Sequence, residues 1–113
     1  MARLPDINVT IMYNKKIQLI ASLRVIHKLK TKHNVTLNEI EECFSNRTRV
    51  FLEDTRNPHW TIPPTMWFIA KTNSGRLLKV VFIERGELIY EVKTAYEPSR
   101  KEKAVYYKTA QKI

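Results

Sequence analysis

Three apolar-rich runs in the second half of the chain leave the fold little freedom. Residues 67–72, 77–85 and 88–96 are each long enough for a strand. Asn73-Ser74-Gly75 leads the first into the second, and Gly86-Glu87 joins the second to the third. Connections this short cannot carry a chain back to a parallel neighbour, so the runs must pair antiparallel as a meander. The chain has two glycines, and both fall in these turns. Gly86 is expected at the first central position of a two-residue hairpin turn.

The first half changes period. Residues 7–12 and 17–20 alternate and read as short strands, of which the fold needs only one, and residues 1–16 are set apart as an N-terminal extension. Ser22 is placed to cap a helix running through His33, with Leu23, Ile26 and Leu29 on one side. Asn34 suits a left-handed stop. Thr36 and Glu39 have capping-box spacing, and Leu37, Ile40, Cys43 and Phe44 give the second helix an apolar face. Arg49–Glu53 reads as a strand. Residues 54–65 hold three prolines (Pro58, Pro63 and Pro64) and read as a loop. Ser99 and Glu102 repeat the capping box before a final helix. The expectation is one α+β domain over residues 1–113. It has an N-terminal strand and two helices, then an antiparallel sheet of three or four strands, then a C-terminal helix.

Charge narrows the function. Twenty Lys and Arg stand against eleven Asp and Glu, a net charge of +9. That excess points to a polyanionic partner, RNA foremost. It is also segregated: 15–32 and 100–112 are basic, while 39–54 is acidic. The single cysteine, Cys43, excludes an internal disulfide framework, and its place on an apolar helix face marks an inert core thiol. His27, His33, His59 and Cys43 have no metal-ligand spacing, so neither metal nor cofactor is expected. No apolar run approaches the ~20 residues that span a bilayer. No signal-peptide core opens the chain, and a cytoplasmic protein with no membrane partner is expected.

RNA cleavage by 2′-hydroxyl attack needs a proton acceptor, cations for the charged phosphorane and a proton donor to the leaving oxygen, but no metal. On 77–85 the odd positions carry Lys79 and Arg85, so both fall on one sheet face. On 88–96 Lys93 has the opposite parity from Tyr90, Val92, Thr94 and Tyr96. Arg76 enters the long strand. The candidate catalytic set is therefore Arg76, Lys79, Arg85, Lys93 and Tyr96, with Arg100 and Glu102 behind them, lysine or tyrosine as base and arginines as clamps. Arg24, Lys28 and Lys32 form a basic helical stripe. With Trp60, Arg100 and Lys103 they are the candidate RNA-binding residues. Alanine at Arg76 and Arg85 is expected to abolish activity without unfolding the chain.

The order of motifs resembles the RelE/ParE superfamily of small bacterial toxins, and its BrnT-like branch in particular. The resemblance rests on Lys32-His33-Asn34-Val35, Glu39 and Phe44, Trp67-Phe68-Ile69-Ala70, Gly75-Arg76-Leu77-Leu78-Lys79-Val80-Val81, and Arg85. Lys93-Thr94-Ala95-Tyr96-Glu97, Glu102 and Tyr106 complete it. Two positions depart: Asn34 stands where that pattern has glycine, and Tyr96 where it has arginine. The resemblance implies a toxin that cleaves mRNA, on the ribosome or free, and is silenced by a cognate antitoxin protein. A non-catalytic binding module of the same fold, including a gyrase-type inhibitor, is the alternative.

Overall fold

Both short turns produce the hairpins they demand, within a larger sheet. The computed structural model describes residues 7–13, 16–56 and 61–110. Strands β1 (Asn8–Tyr13) and β2 (Ile17–Ser22) come first, then helix α1 (Leu23–Lys28), which runs into one π-helical turn, Leu29–His33. Helix α2 (Leu37–Asn46) follows, then β3 (Leu52–Glu53), β4 (Thr65–Lys71), β5 (Leu77–Gly86), β6 (Ile89–Tyr96) and helix α3 (Arg100–Ala110). The caps form as their spacing requires. The Ser22 side chain accepts the Val25 N–H, Thr36 and Glu39 close a reciprocal box, and Ser99 and Glu102 close another. Asn34 ends the π turn in the left-handed region at φ 54°.

The result is an α+β domain with one mixed sheet of six strands, ordered β1-β2-β6-β5-β4-β3. It is wider than the expected antiparallel sheet of three or four strands. β2 pairs parallel with β6, Leu19 opposite Tyr90. Residues 8–13 of the expected extension form an edge strand, antiparallel to β2. Both early alternating runs are therefore strands. The expected strand 49–53 contracts to two residues on the far edge.

Two β-bulges re-aim the central hairpin. Val81 pairs with Thr94 and Phe82 with Val92, which leaves Lys93 as an extra residue in β6. Glu84 pairs with Tyr90 and Gly86 with Ile89, which leaves Arg85 extra in β5. The turn therefore moves one residue beyond its expected place, to Glu87 and Leu88, and Leu88 takes the left-handed φ of 59°. The first bulge also splits the parity of β6. Thr94 and Tyr96 share the face of Val81 and Lys79, whereas Val92 and Tyr90 lie on the other.

Both faces of the sheet are covered. On one, α2 sets Phe44 against Phe68, Phe82 and Tyr90, with centroids 4.4–5.2 Å apart. The Cys43 thiol is buried there and donates to the Ala70 carbonyl; burial pushes its pKa up to about 12, so it is inert as a nucleophile. On the opposite face, α3 lays Tyr106 on Trp67 at 5.4 Å and sends its hydroxyl to the Val50 carbonyl. Lys79 lies beneath this second layer.

Candidate functional site

Lys79 is the first surprise of the site. Its place in the expected outward row would make it a solvated cation, but α3 covers that row and its side chain is 6% exposed. A buried ammonium must be paired, and Glu102, in the first turn of α3, supplies the pair at 2.8 Å. The ammonium also sits 4.6 Å from the Trp67 ring centroid, a cation–π contact. Tyr96, directly opposite Lys79 in the sheet, donates its hydroxyl to the same Glu102 oxygen at 2.8 Å. The Ser99 N–H takes the other oxygen. Burial opposes the charged carboxylate, but the Lys79, Ser99 and Tyr96 bonds outweigh it and hold the Glu102 pKa at about 2. Tyr96 is pushed above the usual phenol value by burial and by its bond to Glu102.

A cleft of about 620 Å³ opens beside this cluster, between α3 and the residues that follow β3. Its apolar walls include Leu52, Trp67 and Val105. At its rim the Arg56 guanidinium forks onto both oxygens of Asp54, at 2.9 and 2.8 Å. That bond holds the buried Asp54 carboxyl below its usual pKa. Arg56 itself remains 65% exposed and turned to solvent.

His33, at the end of the π turn, packs its ring 5.5 Å from that of Tyr96. Burial, then the neighbouring charges of Lys32 and Lys28, lower its pKa below the usual histidine value. The imidazole is thus biased to its neutral form. His33, Tyr96, Glu102 and Lys79 form one continuous chain of contacts from the end of the first helical segment to the start of the last.

The other expected catalytic residues lie elsewhere. Arg76 is consumed as a tie. Its guanidinium bonds the His33 and Asn34 carbonyls at 3.0 and 2.7 Å, Glu39 at 3.2 Å and Glu97 at 3.0 Å. The expectation that alanine there leaves the fold intact does not fit those contacts. Arg85 and Lys93 are the two bulge residues, and both pair with Glu91, at 2.7 and 3.5 Å, and not with Glu102. The five residues therefore do not converge; Lys79 and Tyr96 alone among them do.

Arg24, Lys28 and Lys32 are exposed along the first helical segment, Arg100 is exposed at the start of α3, and Lys103 is half-buried one turn on. None of the five forms an ion pair within the described residues. Trp60 lies outside the described residues. Among those residues no group of three or more His, Cys, Asp or Glu side chains is placed to hold a metal, and no helix is long and apolar enough to cross a membrane.

The sequence does not mark Arg56, Asp54 or His33 as neighbours of this cluster. The one local signal was the Asp54-x-Arg56 spacing after a strand. Glu102 was legible as a capping residue, which it is, and as a residue behind the candidate set; its bond to Lys79 was not. No protein-family model matches the chain, and no curated protein matches it.

Proposed function

We propose that this chain is a metal-independent endoribonuclease of the RelE/BrnT-like toxin kind, kept silent by a partner antitoxin. One observation carries the reading. A buried ammonium and a phenol meet on one carboxylate, a neutral-leaning imidazole packs against that phenol, and the helices on either side carry cations with no ion-pair partner among the described residues.

Those groups match the chemistry of RNA self-cleavage. The 2′-oxygen bonds to phosphorus as the 5′-oxygen leaves, giving a 2′,3′-cyclic phosphate and a 5′-hydroxyl. His33 takes the 2′-proton. Tyr96 delivers a proton to the departing 5′-oxygen, and Glu102 holds the phenol in place. Arg56 and Lys79 stabilise the extra charge on the phosphorane. Arg24 and Lys28 of α1 and Arg100 and Lys103 of α3 hold the phosphate backbone on either side.

Induction of the chain alone in a bacterial host, with growth followed and RNA 5′ ends mapped, tests the reading. Growth arrest with new 5′-hydroxyl ends supports it. Healthy growth with intact RNA overturns it, and arrest with intact RNA moves the target to a protein, as for a gyrase-type inhibitor. One feature favours a non-catalytic RNA-binding module instead: Lys79 is already neutralised by Glu102, and Arg56 by Asp54.

A further inference from the structure

Helix α3 has a hollow on each flank. Successive helix residues turn through about 100°, so Val105 and Tyr107 face opposite sides. Val105 lines the cleft beside Glu102, whereas Tyr107 lines a second hollow of about 360 Å³. That volume lies in the lower part of the range of small-molecule sites. Thr48 and Arg49, from the segment after α2, line it together with Lys71, at the end of β4. Leu77, half-buried, is part of its apolar lining.

The two hollows differ in charge. Beside Glu102, the cations Lys79 and Arg56 are each matched by a carboxylate, Glu102 and Asp54. No Asp or Glu among the described residues lines the second hollow. The Arg49 and Lys71 side chains have no ion-pair or hydrogen-bond partner among the described residues, and neither have the hydroxyls of Thr48 and Tyr107. The Arg49 guanidinium sits 5.6 Å from the Tyr107 ring centroid, a cation–π contact that sets it beside the ring. Two cations and two hydroxyls with no competing carboxylate suit a phosphate, and the fork of Arg49 matches its oxygens. The Asn46 amide, which could read a base edge, spends its N–H bonds on the Lys71 carbonyl and the Asn73 side chain. The hollow is thus equipped for a phosphate and a ring, and not for telling one base from another.

We propose that this second hollow binds a nucleotide by its phosphate, without base selectivity. Arg49 and Lys71 take the phosphate, and Tyr107 and Leu77 give the attached ring a surface. The nucleotide is either free or one unit of an RNA strand, held on the far flank of α3 from Glu102. The RNA-strand form rests on the ribonuclease reading; the free form does not.

Titration calorimetry of the whole chain with AMP, UMP, adenosine and inorganic phosphate tests the site. AMP and UMP should bind within about threefold of each other and at least about tenfold more tightly than adenosine or phosphate. Arg49→Gln should weaken both nucleotides about tenfold. Lys71→Gln should weaken them too, and because Lys71 is exposed and its ammonium has no partner among the described residues, that variant keeps the fold. A 2′-O-methyl oligouridylate, which cannot be cleaved by 2′-hydroxyl attack, separates the sources. Tighter binding than UMP, weakened by the same two substitutions, marks an RNA subsite; binding equal to UMP marks a free-nucleotide site. Adenosine or phosphate binding as tightly as AMP, a strong preference for one base, or nucleotide binding that is absent or untouched by both substitutions overturns the proposal. Nucleotide binding here by a chain that leaves RNA intact would support this site and count against the ribonuclease reading. RNA cleavage by a chain that binds neither nucleotide would do the reverse.

Discussion

Lys79 and Tyr96 stand directly opposite each other across β5 and β6, and both reach the same oxygen of Glu102 at 2.8 Å. The sheet register sets this pairing, so the two side chains share one partner. The helix supplies the third member through its first turn, where the capping box with Ser99 also fixes the Glu102 backbone.

That cluster should be non-additive in stability. Glu102→Leu leaves the Lys79 ammonium buried and unpaired, at a cost of roughly 2–4 kcal/mol. The lower part of that range applies, because the Glu102 side chain is 24% exposed. Adding Lys79→Met removes the stranded charge and should recover most of the loss. Urea midpoints of the two single variants and the double variant measure it. Additive losses would show that the two residues are not coupled.

Acid should weaken the fold through the same carboxylate. The Glu102 pKa is about 2 in the folded chain against an ordinary 4.5, so its contribution is present above the ordinary value. It is lost as pH falls from about 4.5 towards 2. Asp54, also depressed, adds to the loss on the acid side of its own ordinary value. His33 has the opposite charge type. Its folded pKa lies below 6.5, so the unfolded chain binds the proton better and stability rises with pH through that value. Glu102→Gln should flatten the acid limb of a stability–pH curve, and His33→Gln the limb just below pH 6.5. A curve left unchanged by either substitution would contradict the assigned groups.

Arg76 should behave as a structural tie. Arg76→Lys keeps the charge but loses the fork that serves the His33 and Asn34 carbonyls together with Glu39 and Glu97. A loss of about 2 kcal/mol, seen as a lower melting temperature, is expected. A lysine variant as stable as the parent would show that one charge suffices there.

The hairpin tip offers a gain. Leu88 is 43% exposed and holds φ at 59°, a conformation that costs a non-glycine residue about 1 kcal/mol. Its backbone carbonyl accepts the Gln18 N–H and survives any substitution of the side chain. Leu88→Gly should raise the melting temperature by a few degrees, and a fall would mean that the side chain contributes more than its backbone costs.

Local signals in the sequence marked what depends on neighbours along the chain. The capping boxes at Thr36 and Ser99, the stop at Asn34 and the apolar face of α2 all follow from spacing, and so does the β5–β6 hairpin. The parallel pairing of β2 with β6 was not legible, because it joins residues some seventy positions apart with no mark on either strand. Nor were the bulges at Lys93 and Arg85, since one extra residue leaves the composition of a strand unchanged while altering which face its side chains take. The burial of Lys79 was hidden for a related reason. A lysine reads as surface until a helix from the end of the chain arrives to cover it, bringing the carboxylate that makes burial tolerable.

Cleavage of a defined RNA by the purified chain, with a chelator present, tests the account most directly. The chain should leave 2′,3′-cyclic phosphate and 5′-hydroxyl ends, and Tyr96→Phe, which removes only the proton donor, should slow the reaction by about a hundredfold or more. Intact RNA, or a Tyr96→Phe variant that cuts as fast as its parent, would contradict the assignment of the Tyr96–Glu102–Lys79 cluster as the reacting site.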